Sequence, residues 1–264
     1  MGEPAVYRTK DDLDQAVTKV TKSRDAQHQM IESGKRDTRM LEAVIMDMDG
    51  TLLDSEPIHA QSFQGFLDEL GVNGKLSVED DIVGYDLETI CRNCIDRFDI
   101  DIPAEEYIRM QHDFTYRLFG EVDLVETQGL TPFLRDLKAH GVRTAVASAT
   151  HSEIVGRILE RLDIMQYIDA VCGVDTVAKT KPAPDLFLKA AEVLGADPDN
   201  CIVIEDSPAG IKAAGAAGMR SIAISCHTGV PDEAANADLV VQDFMPLKYE
   251  TLLHMTEDGD PLCE

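Results

Sequence analysis

Six short, mostly apolar runs alternate with helical stretches along most of this chain. They lie at 43–48 (AVIMDM), 143–148 (RTAVAS), 170–174 (AVCGV), 201–206 (CIVIED), 220–225 (RSIAIS) and 238–241 (DLVV). Gly, Pro, Asp or Ser bounds each, and several are apolar throughout, as strands covered on both faces are. Between them, TPFLRDLKAHG and APDLFLKAAEVLG space their apolar residues three and four apart, and end in Gly141 and Gly195, which suit left-handed caps. Strand–helix alternation of this kind predicts an α/β fold: a Rossmann-like, doubly wound parallel sheet with helices on both faces.

One region breaks the rhythm. Residues 57–125 hold helical stripes and no good strand: IHAQSFQGFLDELG, DLETICRNCIDRF and AEEYIRMQHDFTYRLFG. They read as a helical cap domain inserted after the first strand, with crossings near Ser55–Pro57 and Val122–Gly129. An insertion at the carboxyl end of a strand lies over the edge where open α/β sheets bind ligands, so it can serve as a lid. The expected organisation is a polar extension over 1–40, a core over 41–56 and 126–255, the cap over 57–125, and an acidic tail over 256–264.

Charge and cysteines narrow the function classes. With 24 Lys and Arg against 49 Asp and Glu, the net charge of -25 argues against nucleic acid and anionic membrane surfaces as partners. No apolar run approaches the roughly 18 residues that cross a bilayer, and the first residues lack an apolar signal core. The six scattered cysteines suit reduced thiols, so the chain reads as soluble and cytoplasmic, a monomer or homodimer. Cys91 and Cys94 form a lone CxxC in a helical pattern and read as two small helix residues. An enzyme for anionic substrates with this balance must concentrate positive charge locally, in a metal ion or a single lysine.

The polar residues at the strand ends fit that requirement. Asp47 and Asp49 follow the first strand, Ser148 the second, Lys181 the third, and Glu205 with Asp206 the fourth. Parallel strands bring these ends to one rim of the sheet. Four carboxylates crowded there stay ionised only around a cation, and hard oxygen ligands suit Mg²⁺.

These residues also carry a resemblance. DMDGTLLDSEP, VASAT, KPAPD and IEDSPAGIKAAGAAGM, in that order over about residues 41–245, resemble the four motifs of the haloacid-dehalogenase-like superfamily. The similarity is to the branch with a helical cap that holds β-phosphoglucomutase and small sugar-phosphate phosphatases. It implies that Asp47 is the nucleophile, forming an aspartyl-phosphate, and that Asp49 is the general acid and then base. It further implies Mg²⁺ at Asp47, the Asp49 carbonyl, Asp206 and Glu205, and phosphate contacts from Ser148, Ala149, Lys181 and Gly50. Lys179, two residues before Lys181, is the residue it could be confused with. His59 and Arg92 are the cap candidates for substrate contact. Asp54 and Ser55 read as a helix cap and hinge, and Ser152 as a helix cap.

Departures from the mutase pattern favour hydrolysis. The cap stretch VGYDLETICRN offers Leu87 and Glu88 where an arginine holds the far phosphate, with Arg92 a turn further on, and His151 stands where the mutases carry a lysine. The expected activity is a Mg²⁺-dependent phosphatase of a small phosphorylated metabolite, a sugar or polyol phosphate. The alternatives are a sugar phosphomutase and a non-catalytic scaffold of the same fold. A dehalogenase fits the acid/base aspartate poorly, and a phosphonate hydrolase needs a cap Schiff-base lysine where Lys75 has no such context.

Overall fold

The computed structural model describes residues 41–77, 87–225 and 236–257, together with the backbone of Val6–Tyr7. Apart from that pair, the reading of 1–40 as a polar extension lies outside the described residues. So do residues 78–86 and 226–235 and those beyond Glu257.

All six expected runs form strands. With Val6–Tyr7 as β1, they are β2 (Ala43–Met46), β3 (Arg143–Ala147), β4 (Ala170–Cys172), β5 (Cys201–Glu205), β6 (Arg220–Ile224) and β7 (Leu239–Val241). They make one parallel sheet in the order β1-β7-β6-β5-β2-β3-β4. The chain enters at β2, winds outward through β3 and β4, then returns to the other side of β2 and winds outward through β5, β6 and β7. Its direction therefore reverses between β3 and β5, on either side of β2. Register fixes this centre: Met46 lies opposite both Val146 and Ile204. The strands read as buried on both faces are so: β2 and β5 contain only buried residues.

Among the described residues, five helices belong with the sheet: α4 (Leu130–Ala139), α5 (Ser152–Arg161), α6 (Asp185–Leu194), α7 (Pro208–Ala216) and α8 (Tyr249–Glu257). Gly141 and Gly195, just past α4 and α6, are left-handed, with φ of 73° and 65°. On one face Leu186, Phe187, Ala190 and Ala191 of α6 pack with Ile45, Ala145, Ala147 and Val203. Each fully buried large side chain here contributes about 1.5–3 kcal/mol of transfer free energy.

The chain divides into two compact units, with Ser55–Leu124 as the second. That unit contains α1 (Glu56–Glu69), α2 (Leu87–Phe98) and α3 (Ala104–Phe119). Its own core holds Phe63, Phe66, Leu67, Ile90, Cys91, Cys94 and Tyr107, with the Phe66 and Tyr107 rings edge to face at 5.0 Å. Cys91 and Cys94 are therefore buried on a helix face, outside any disulfide. Among the described residues, no helix is long and apolar enough to cross a membrane.

Each strand is shorter than its run, four by a single residue and two by a pair. The first run stops at Met46 because the chain turns tightly after Asp47, and the third stops at Cys172 because residues Val174–Thr176 wind into a 3₁₀ turn. Ser55 occupies the position before α1 without a side-chain cap hydrogen bond. Ser152 sits inside α5, not before it: its N–H is held by Asp175 Oδ1 at 2.7 Å, so the aspartate supplies the cap.

Candidate active site

The site grows from the carboxyl ends of β2, β3 and β5. Beyond β2, the Asp47 N–H donates to the Ile204 carbonyl at 2.9 Å, which carries the β2–β5 ladder one residue further and fixes Asp47 beside Glu205. The chain then turns: Thr51 and Leu52 both donate to the Met48 carbonyl, and the Gly50 N–H donates to Leu53. Gly50 has φ +77°, and a Cβ there would stand 2.3 Å from Asp206 Oδ2. Only glycine meets both demands. Thr51 Oγ1 donates to Asp206 Oδ1 at 3.2 Å, so the turn after the first aspartate also seats the last one.

Lys181 sits against two acids. Its Nζ donates to Asp47 Oδ1 and, at 2.6 Å, to Glu205 Oε1. The ammonium lies 5.1 Å from the centre of the Phe187 ring, a cation–π contact supplied by the first turn of α6. Glu205 is 1% exposed, and its other oxygen accepts from both the N–H and the hydroxyl of Ser207, at 2.7 and 2.9 Å. Lys179, two residues earlier, is exposed.

Asp49 has a different set of partners. Its Oδ2 accepts from Ser148 Oγ at 3.0 Å and Thr150 Oγ1 at 2.8 Å, and the Thr150 N–H in turn donates to Ser148 Oγ. Ser148 is held by its own N–H on the Cys172 carbonyl, one residue past β3.

Electrostatics distinguish the acids. Burial pushes the Asp47 carboxyl well up, and Glu205, Asp206 and Asp49 add to this against the opposing pull of Lys181. Burial and the neighbouring Glu205 push Asp206 up to about 7. Burial works against the Lys181 charge, but Asp47 and Glu205 outweigh it and hold the lysine above its ordinary range. One ammonium thus faces more negative charge than it neutralises. Asp47, Glu205 and Asp206 can each bring a carboxylate oxygen within 4.8 Å of the others. An all-oxygen, acidic donor set with uncompensated charge fits a hard divalent cation of the Mg²⁺ or Ca²⁺ kind.

The structure brings together Asp47, Asp49, Gly50, Ser148, Lys181, Glu205 and Asp206. Ala149 lies between the two hydroxyl residues and is exposed. His59 and Arg92 belong to the helical unit. There the His59 ring meets Phe119 edge to face at 5.2 Å, and Arg92 pairs with Glu88 one turn away on the exposed side of α2. Sequence reasoning missed four participants: Thr51, Thr150, Ser207 and Gly210. Thr150 was detectable, since in extended chain it faces the same way as Ser148; the other three act through contacts that spacing does not encode.

Known proteins resemble this chain in sequence and fold. Residues 44–224 match the family model of haloacid dehalogenase-like hydrolases. The fructose-1-phosphate phosphatase YqaB of Escherichia coli is 33% identical over 180 residues, which cover 68% of this chain and 94% of that protein. The crystal structure of CbbY from Rhodobacter sphaeroides in complex with phosphate superposes with a TM-score of 0.73 at 25% identity, over 81% of this chain and 99% of that one. The β-phosphoglucomutase of Clostridium difficile superposes with a TM-score of 0.67 at 26% identity, over 83% and 97%.

Proposed function

Because the chain belongs to the haloacid dehalogenase-like hydrolase family, we propose that it is a Mg²⁺-dependent phosphatase of a small phosphorylated sugar or polyol, working through an aspartyl-phosphate on Asp47. The supporting observation is the division of labour between the two aspartates: Lys181 holds Asp47, and the hydroxyls of Ser148 and Thr150 hold Asp49. Two neighbouring carboxylates with separate partners can take separate roles, one attacking and one moving protons.

In this reading an Asp47 oxygen attacks phosphorus while Asp49 gives a proton to the departing sugar oxygen. Asp49 then takes a proton from water as that water attacks the aspartyl-phosphate, which frees inorganic phosphate and restores Asp47. Lys181 and Ser148 bind the phosphoryl oxygens through the transfer. Asp47, the Asp49 carbonyl and Asp206 are the residues that would hold Mg²⁺, with Glu205 within reach. When bound, the ion offsets the repulsion between an anionic nucleophile and an anionic substrate.

The named activity of YqaB and the phosphate in the CbbY complex support a small phosphorylated substrate. Likeness to a β-phosphoglucomutase keeps a second reading, a sugar phosphomutase. Hydrolysis is favoured because Leu87 and Glu88 stand where the mutases place an arginine, and Arg92, one turn further on in the sequence, pairs with Glu88. The test is phosphate release from an aryl phosphate with Mg²⁺ and with EDTA, followed by a panel of hexose, pentose and glycerol phosphates. Asp47→Asn should stop turnover with the fold retained. Full activity in that variant removes the mechanism. Interconversion of a sugar 1-phosphate without phosphate release establishes the mutase instead.

A further inference from the structure

The two carboxylates that end and follow β5 are not equivalent. Glu205 Oε1 accepts from Lys181, and Glu205 Oε2 accepts twice from Ser207. Ser207 Oγ also accepts from the Gly210 N–H at 3.0 Å, so the first turn of α7, a nine-residue helix, closes around this acid. Gly210 is essential to the fit: a Cβ there would lie 1.8 Å from Glu205 Oε1 and 1.9 Å from Cδ, distances that only displacement of the carboxylate could relieve. Asp206, by contrast, accepts from the Thr51 hydroxyl at 3.2 Å.

We infer that Ser207 and Gly210 are positioning residues acting through Glu205: they seat its carboxylate against Lys181, so that this acid aims the lysine while Asp47 and Asp206 serve the cation. Glu205 has an oxygen near enough to join a metal shell, but both of its oxygens are already engaged by donors, one of them cationic. Moving either towards an ion weakens a charge-assisted hydrogen bond at a carboxylate that is only 1% exposed. The chain of contacts therefore runs from the start of α7 through Ser207 and Glu205 to Lys181 and on to Asp47. A lysine fixed on one side by Glu205 keeps its place when Asp47 becomes phosphorylated and its own hold on the lysine changes.

This rests on the phosphatase reading, and the experiment separates the two. Ser207→Ala, Ser207→Thr, Gly210→Ala and Glu205→Gln are each assayed with an aryl phosphate at saturating Mg²⁺. Each is also titrated calorimetrically with Mg²⁺ alone and with inorganic phosphate, and melted to check folding. Ser207→Ala, which keeps its N–H, should lower kcat about tenfold, and Ser207→Thr should restore it to within about threefold. Gly210→Ala and Glu205→Gln should lower kcat about a hundredfold and weaken phosphate binding. The Mg²⁺ Kd should stay within about threefold of wild type in all four. A merely structural cap would change melting and leave the kcat and phosphate values alone. A Mg²⁺ Kd weakened about tenfold or more in Glu205→Gln makes Glu205 a metal ligand and overturns the inference, as does wild-type kcat in Ser207→Ala. A wild-type protein that binds Mg²⁺ and releases no phosphate removes the phosphatase reading, and the two binding constants then decide this one.

Discussion

Metal-free protein should lose stability as the solution becomes more alkaline, and Asp206→Asn should suppress much of that loss. Burial, with Glu205 beside it, lifts the Asp206 carboxyl from its ordinary 3.8 to about 7. The unfolded chain releases this proton around pH 4, whereas the folded protein keeps it to about pH 7. Between those values the folded state binds more protons, so stability falls with rising pH and levels off above the folded value. The span from 3.8 to about 7 corresponds to about 4 kcal/mol, of which the part above about pH 5 is about 3 kcal/mol, or roughly 8 °C of melting temperature for a protein of this size. Asp47, also lifted by burial, adds in the same direction. The assay is differential scanning calorimetry from about pH 5 to about pH 8 in EDTA, wild type against Asp206→Asn. Comparing the two slopes cancels the general repulsion of a chain with net charge -25. Mg²⁺, which favours the ionised site, should stabilise wild type most at the alkaline end. Parallel melting curves for the two proteins, or wild-type stability that climbs with pH, refute the assignment of buried, under-neutralised carboxyls.

Three further outcomes follow from the same coordinates. Lys181→Met leaves Asp47 and Glu205 buried without their cation and should cost about 3–5 kcal/mol in denaturant titrations, part of it regained when Asp47→Asn is added. Gly50→Ala puts a Cβ 2.3 Å from Asp206 Oδ2 at a φ of +77°, and a weakened Mg²⁺ Kd by calorimetry should accompany a loss of about 1–3 kcal/mol. Phe66→Ala removes a ring that is 1% exposed from the core of the helical unit and should cost about 3–5 kcal/mol, read as an earlier denaturant transition.

Much of the sheet was legible because its strands are short, apolar and buried on both faces, a pattern that helices of similar length do not share. Gly141 and Gly195 could be read as helix stops for the same local reason: a left-handed residue after a helix favours glycine strongly. The acids, Ser148 and Lys181 were legible because parallel strands bring their carboxyl ends to one rim, so proximity follows from topology. What the sequence hid depends on long-range fit. Nothing local tells that Gly210 must lack a side chain because of Glu205, or that Thr51 reaches Asp206 across 155 positions. Ser152 misled because Asp175, distant in sequence, takes over the helix start. Arg92 drew attention as a cap cation one turn past Glu88, and that same spacing pairs the two on the helix surface.

The stem of the insertion has a consequence for how such proteins diversify. Leu53 bridges to Glu126 in antiparallel fashion, the Thr127 N–H donates to the Leu52 carbonyl at 2.7 Å, and Thr127 Oγ1 donates to the Thr51 carbonyl at 2.8 Å. The outgoing and incoming chain are thus stitched together before the helices begin, by backbone groups and one threonine. Whatever is spliced between Asp54 and Val125 leaves from and returns to the same clasp. A segment of different length or sequence can therefore be accommodated at that clasp, while the strand ends that carry Asp47, Asp49, Ser148 and Asp206 keep their own contacts.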